Sequence, residues 1–302
     1  MDRLALICEE IQRHASRLQK VNILAEFFKT LDDGELSIAV QLLASGPVAR
    51  ASANQALFEI DDKVDLKIGR SVLREALRQA SGWDKETLSV CHSQVGDTGE
   101  TAGLLMRGVS AEEPLSLTAV DSFYQELFQA RSTAQRIELL VAAFRLYRPL
   151  TIKYVVKMIT RGLRIGLMAK QVEEAVAIGC DSSLDAVRAA NNRLGDLARV
   201  AVAARHGELA SIEARLFHPM DFMLAKPLDR AEDLADVSEW LVEDKYDGIR
   251  SQVHFDSGTV RIFSRGMEEI TRSFPKWLKS AALFRVMAWL TAKFSPGAMA
   301  AR

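Results

Sequence analysis

The residues best suited to chemistry lie between positions 243 and 265. Lys245-Tyr246-Asp247-Gly248 forms a Lys-x-Asp-Gly pattern, with Glu243 two residues before the lysine and Arg250 five after it. Successive side chains of a strand leave opposite faces, so Glu243 and Lys245 share a face and can address one ligand. A second element, FSRGMEEITRSFP from Phe263 to Pro275, puts Arg265 at the end of a returning strand, close enough to serve the same pocket. This set suits a reaction in which the lysine nitrogen attacks the α-phosphate of a nucleotide and pyrophosphate leaves. A lysine ammonium, with a reference pKa of about 10.4, is a poor nucleophile, so the pocket must favour the neutral amine through neighbouring cations or desolvation. Arg250 and Arg265 are those cations, and they also stabilise charge on the phosphates. Gly248 lets backbone come close to a ligand, Asp247 can orient the turn, and Glu243 can accept a hydrogen bond from a base or ribose. The competing reading is a surface strand whose lysine and glutamate alternate outward, with Asp-Gly as its turn.

The elements that must position these residues begin after His218-Pro219. There the segment PMDFMLAKPL leads through an acidic stretch, Glu232 to Glu239, into WLVEDKYDGIRSQVHF, and the apolar period becomes two. Ser251 to Phe255 and Thr259 to Ser264 flank Asp256-Ser257-Gly258, the composition of a short hairpin turn. This predicts the start of an α+β domain, with a boundary near residue 216.

Upstream, residues 1–215 read as helices, because apolar residues recur at spacings of three and four and alternation is scarce. Leu4, Ile7, Ile11 and Leu18 form one such stripe, and Gly34, Ser45-Gly46-Pro47, Ser81-Gly82, Gly96 to Gly103 and Pro149 fall between runs as breakers. Between Leu139 and Val172 there are seven basic side chains and no acidic one. Among them Lys153, Lys157, Arg161 and Arg164 follow helical spacing, while Val155, Val156, Ile159 and Leu163 offer a core-facing stripe. One helix docked inward would then present these four cations to phosphate oxygens, against the plainer reading of a solvated charged face. Gly96, Gly99 and Gly103 around Asp97-Thr98 suggest backbone N–H groups at a helix start, equally consistent with an anion site or an ordinary loop.

Composition narrows the classes. The formal net charge of −1 carries no whole-protein signal for nucleic acid, so any DNA affinity has to come from a local patch. No run approaches the roughly 18 apolar residues of a membrane span, and the start, MDRLALICEEIQRHA, meets glutamates where a signal peptide would stay apolar; the expectation is a cytoplasmic protein without membrane partners. Cys8, Cys91 and Cys180 are scattered singly, which predicts buried thiols. The five histidines show no ligand spacing, so no metal is assigned to them.

The segments E-D-K-Y-D-G-I-R and S-R-G-M-E-E-I-T resemble motifs I and Ia of the covalent nucleotidyltransferases, specifically of ATP-dependent DNA ligases. KIGRSVLREAL, VGDTGETA, RGLRIGL, NRLGDLARVA and the connector HPMDFMLAKPL are similar to the helical DNA-binding domain and linker of the larger ligases. The resemblance implies a multi-domain chain: an all-α DNA-binding domain over residues 1–215, then the incomplete start of an α+β adenylation domain over 216–275. It implies Lys245 as the AMP-bearing nucleophile and Glu243, Arg250 and Arg265 as ATP contacts. Mg²⁺ would be held largely by nucleotide phosphates, and the partner would be nicked duplex DNA. It gives the four cations of the basic run a DNA-binding role.

The family's Asp-Gly-Glu motif, adenine-stacking aromatic, metal-binding glutamate and OB-fold do not follow Pro275. The chain alone is therefore expected to be inactive, with a non-catalytic duplex or nicked DNA-binding module as the alternative. The strands are expected to lack sheet partners. Residues 276–302 carry no resemblance and read as a continuation out of frame, since codons for Thr291-Ala292-Lys293 shifted by one base can encode Asp-Gly-Glu.

Overall fold

The computed structural model describes residues 1–48, 66, 68–213, 216–217, 219, 230, 248–256, 259–265, 268–275 and, as backbone, 288–294. These divide into two compact units, one comprising Met1–Asn191 and Asp196–Ser211, the other Asn192–Gly195 and Ile212–Arg302.

Twelve α-helices make up the first unit among the described residues: α1 Asp2–Arg13, α2 Arg17–Lys29, α3 Asp33–Ser45, α4 Arg70–Ser81, α5 Lys85–Val95, α6 Thr98–Leu105, α7 Leu117–Gln129, α8 Thr133–Leu146, α9 Pro149–Ile159, α10 Ala169–Gly179, α11 Leu184–Leu194 and α12 Leu197–Arg205. Local sequence sets many of their ends. The side chains of Asp32, Asp84, Asp97, Ser116 and Ser132 each accept an N–H of the first turn that would otherwise lack a partner. Gly82 and Gly96 stop α4 and α5 in the left-handed conformation that glycine adopts without a steric penalty. Pro149 starts a helix, because at the first position its missing N–H costs nothing.

The stretch from Gly96 to Gly103 is not a loop. Only Gly96-Asp97 breaks the chain; Gly99 and Gly103 lie inside α6, buried against α9. A Cβ on Gly99 would fall 2.4 Å from the Lys157 Cγ and 2.7 Å from the Lys153 carbonyl oxygen, and one on Gly103 would fall 3.0 Å from the Lys153 Cβ. Glycine is required there because two helix backbones cross too closely for any side chain.

Helix α9 also differs from its expected role. Every residue from Thr151 to Ile159 is buried, the two lysines included, so it is a central helix without a solvated face. It ends at Ile159, which leaves Arg161 and Arg164 in the loop that follows. The surrounding core is made by Leu4, Leu24, Phe28, Leu36, Leu73, Tyr124 and Phe144, all essentially inaccessible. Each contributes roughly 1.5–3 kcal/mol by leaving water. Of the cysteines, Cys8 is buried as expected, and its thiol is pushed up by burial; Cys91 and Cys180 are only partly covered.

The second unit contains a three-stranded antiparallel sheet of order β2-β1-β3, with β1 Ile249–Asp256, β2 Thr259–Ser264 and β3 Ala288–Phe294. The β1–β2 register pairs Asp256 with Thr259 and Ser251 with Ser264, a tight hairpin as the turn composition predicts. Val253, Phe255, Ile262 and Phe274 form its small core, with Val260 and Ile270 against it. Two expectations change. Residues 251–255 are buried on both faces, so β1 is a central strand and does not alternate between core and solvent. Nor does β1 lack a partner: the backbone of β3, drawn from the tail, pairs along it from Ile249↔Phe294 to Phe255↔Ala288. An extended tail that satisfies the open N–H and C=O groups of an edge removes the cost of leaving that edge bare.

Candidate nucleotide and nucleic-acid sites

The hairpin brings the two arginines of the expected nucleotide pocket to one end. Arg250 precedes Ser251 and Arg265 follows Ser264, and those serines are direct partners across the ladder. Arg250 is half-buried and Arg265 is exposed. Gly248, at the entrance to β1, has a φ of +153°, outside the range that other residues adopt readily. Glu243, Lys245 and Asp247 lie outside the described residues.

The segment after Arg265 has a holding function that sequence reasoning missed. Glu268 accepts the Ser264 N–H through its carbonyl at 2.8 Å and donates its own N–H to the Ser264 hydroxyl at 3.3 Å. The Thr271 hydroxyl accepts the Ile262 N–H at 3.0 Å and donates to Glu269, whose carboxylate also meets Arg261 at 3.1 Å. Glu269 and Thr271 thus clamp β2 behind Arg265. The only sequence sign was their place in the E-E-I-T run.

In the helical unit the basic run splits. Lys153 and Lys157 are buried, and their ammonium groups are matched by acids from elsewhere in the fold. Lys153 pairs with Glu9 of α1 and, at 2.9 Å, with Glu100 of α6. Lys157 pairs with Asp97 at 3.0 Å and Glu100 at 3.3 Å. The Tyr154 hydroxyl donates to Glu9 at 2.9 Å. Burial works against ionisation of Glu9 and Asp97, yet both carboxyls are held below their usual range, Glu9 by Lys153 and Tyr154, Asp97 by the Glu100 N–H and Lys157. For Lys153 burial favours the neutral amine, but Glu9 and Glu100 prevail and raise it. The expectation that these two lysines meet phosphate is corrected by these contacts. The local run contains no acid, but helices far away in sequence bring three to it.

Arg161 and Arg164 do reach the surface, and they line a groove of about 600 Å³. Its walls include Gly69 and Arg70 at the start of α4, Gly96, Asp97 and Thr98 at the start of α6, His92, and the 158–164 segment. Arg70 and His92 were not singled out from the sequence, although Arg70 lies in the KIGRSVLREAL segment. Helix α4 begins without a side-chain cap, which leaves its first N–H groups for another acceptor. Two helix amino ends carrying partial positive charge therefore meet three exposed arginines. Arg161 and Arg164 hold φ values of +52° and +44°, which cost a non-glycine residue roughly 1–2 kcal/mol each. The loop is pinned in that shape: the Gly162 N–H donates to the Lys157 carbonyl at 2.8 Å, Lys20 donates to the Ile165 carbonyl at 3.1 Å, and Ile165 is buried. Strain maintained by such contacts is characteristic of binding sites.

No group of three or more metal-ligating side chains occurs among the described residues, and among them no helix is long and apolar enough to cross a membrane.

Comparison with known proteins agrees with both regions. Residues 1–177 match the family model described as DNA ligase N terminus, and residues 222–286 match that of the ATP dependent DNA ligase domain. The second match runs past Pro275 into the tail. A probable DNA ligase of Koribacter versatilis is 36% identical over 278 residues, covering 91% of this chain and 46% of that protein. A DNA ligase of Methanothrix thermoacetophila is 30% identical, with 91% of this chain and 49% of that protein covered. A probable DNA ligase of Opitutus terrae is 27% identical over 92% of this chain. By these matches the helical unit is followed in sequence by the start of the ligase's adenylation domain, with its small sheet. The chain belongs to the ATP-dependent DNA ligase family, an enzyme family, and it spans about a third to a half of the length of these curated relatives.

Proposed function

We propose that the helical unit grips duplex DNA through the groove between α4, α6 and the loop after α9, and that the strand unit contributes to ATP-dependent sealing of nicks. The observation that carries this reading is the convergence of Arg70, Arg161 and Arg164 with two helix amino ends on one groove. Arginine forks and backbone N–H groups match phosphate oxygens, so the contacts would be to the DNA backbone and largely independent of sequence. In the strand unit Lys245 would take AMP from ATP, with Glu243, Arg250 and Arg265 holding the nucleotide. Mg²⁺ would sit mainly on its phosphates, as is usual for this hard ion.

Two measurements test this. Fluorescence anisotropy of a nicked mixed-sequence duplex, titrated across a salt series, should show strong salt dependence. Arg70→Ala, Arg161→Ala and Arg164→Ala should each lower the slope of log K against log salt by about one unit. Unchanged slopes would exclude the groove. Separately, a ligase containing this segment should carry acid-labile label after incubation with ATP radiolabelled at the α-phosphate. Lys245→Ala and Lys245→Arg should abolish it, because neither supplies a comparable neutral amine. Label surviving in Lys245→Ala would remove the nucleophile from this position.

A further inference from the structure

Lys157 connects both walls of the arginine groove. Its ammonium binds Asp97, the residue that caps α6 and lines one wall. Its carbonyl accepts the Gly162 N–H at 2.8 Å, which holds the loop carrying Arg161 and Arg164 on the other wall. Between these ends the side-chain stem packs on Gly99, where no Cβ could fit. Asp97 has matching connections: its carboxylate accepts the Glu100 N–H at 2.9 Å, and its carbonyl accepts both the N–H and the hydroxyl of Thr101. The Thr101 hydroxyl lies 3.3 Å from His92 Nδ1, another groove residue. An acid would ordinarily weaken a phosphate-binding groove, yet this one sits in its wall.

We propose that the Lys157–Asp97 pair positions the DNA-binding groove, fixing the distance between the amino end of α6 and the Arg161–Arg164 loop, while neither residue contacts DNA itself. This rests on the proposed DNA-binding role of the groove. The pair acts as a strut: a buried ion pair has a narrow range of acceptable lengths, because separating the charges leaves the buried Lys157 ammonium poorly compensated. A change at Asp97 would therefore move the α6 turn relative to the arginines. Glu100, which reaches both lysines from one turn further along α6, reinforces the same placement.

The test exploits a reversal of sign. Simple electrostatics requires that removing a negative charge from the groove tighten DNA binding. A positioning role requires the opposite. Asp97→Asn is the informative variant, because asparagine caps a helix as well as aspartate does and the fold should survive. The full chain, wild type and variant, would be titrated with the same nicked duplex, with circular dichroism confirming the folded state. Asp97→Asn should bind roughly five- to tenfold more weakly, as expected for losing one charge-assisted contact that acts through geometry. Glu100→Gln, which leaves the cap intact, should weaken binding in the same direction. Affinity equal to or tighter than wild type in folded Asp97→Asn, or in Glu100→Gln if the former does not fold, overturns the positioning role. If Arg161→Ala and Arg164→Ala bind normally, the groove reading falls and the positioning role falls with it. If those two weaken binding while Asp97→Asn strengthens it, only the positioning role falls.

Discussion

Lys153 and Lys157 on α9 and Arg161 and Arg164 in the loop beyond it belong to one basic run, yet the fold uses the two halves in opposite ways. The lysines are buried and neutralised by Glu9, Asp97 and Glu100. The arginines stand in solvent on strained backbone at the edge of a groove. The helix end between them separates these fates. While the chain is helical it lies in the core, and every polar group on it needs an internal partner. Once it leaves the helix, the αL residues turn outward and line the groove. A basic run thus indicates where cations are, and only their surroundings show whether they face a ligand or an internal acid.

The largest effect that would sharpen this contrast is on stability. Lys157→Met keeps the apolar stem but leaves Asp97 without its cation and Glu100 with Lys153 alone. It should cost about 3 kcal/mol, at the lower end for a broken buried pair because the acids retain some solvent contact. Urea unfolding measures it, and Arg161→Ala should stay within about 0.5 kcal/mol of wild type in the same assay. Equal costs in the two variants would break the distinction.

A second effect is acid sensitivity. Glu9 and Asp97 have folded-state pKa values below their usual ones, so their stabilising contribution is fully present above the ordinary carboxylate range and is lost as pH falls through the depressed values. Stability should therefore decline as pH drops below the ordinary values of 4.5 for Glu9 and 3.8 for Asp97. Replacing both Lys153 and Lys157 with Met should flatten that decline, as read from the urea midpoint against pH. The smallest effect is expected at Arg164. Arg164→Gly relieves its positive φ and should stabilise the protein by about 1 kcal/mol while weakening DNA binding. Loss of stability would show that the arginine side chain holds the loop.

Sequence reading went furthest where the determining interaction is local. Asp256 and Thr259 close the hairpin that the turn composition predicts. The placement of Arg250 and Arg265 was legible for the same reason: they fall at one end of a hairpin through register alone. It failed where the partner is distant. Glu9 lies 144 residues from Lys153, and no count of charges near residue 153 could include it. The glycines of α6 looked like breakers because their reason, the backbone of α9, lies in another helix. Strand β1 looked unpartnered because its pairing with β3 is likewise non-local.

By itself the sequence determined the helical character of the described residues up to about 205, the tight hairpin and the family, since periodicity, turn residues and motif spacing act within a few positions. Tertiary structure alone decided which cations of the basic run are buried and which are exposed. The ionic state and reach of a side chain depend on the dielectric and the charges around it, and those come from helices that only the complete fold brings together.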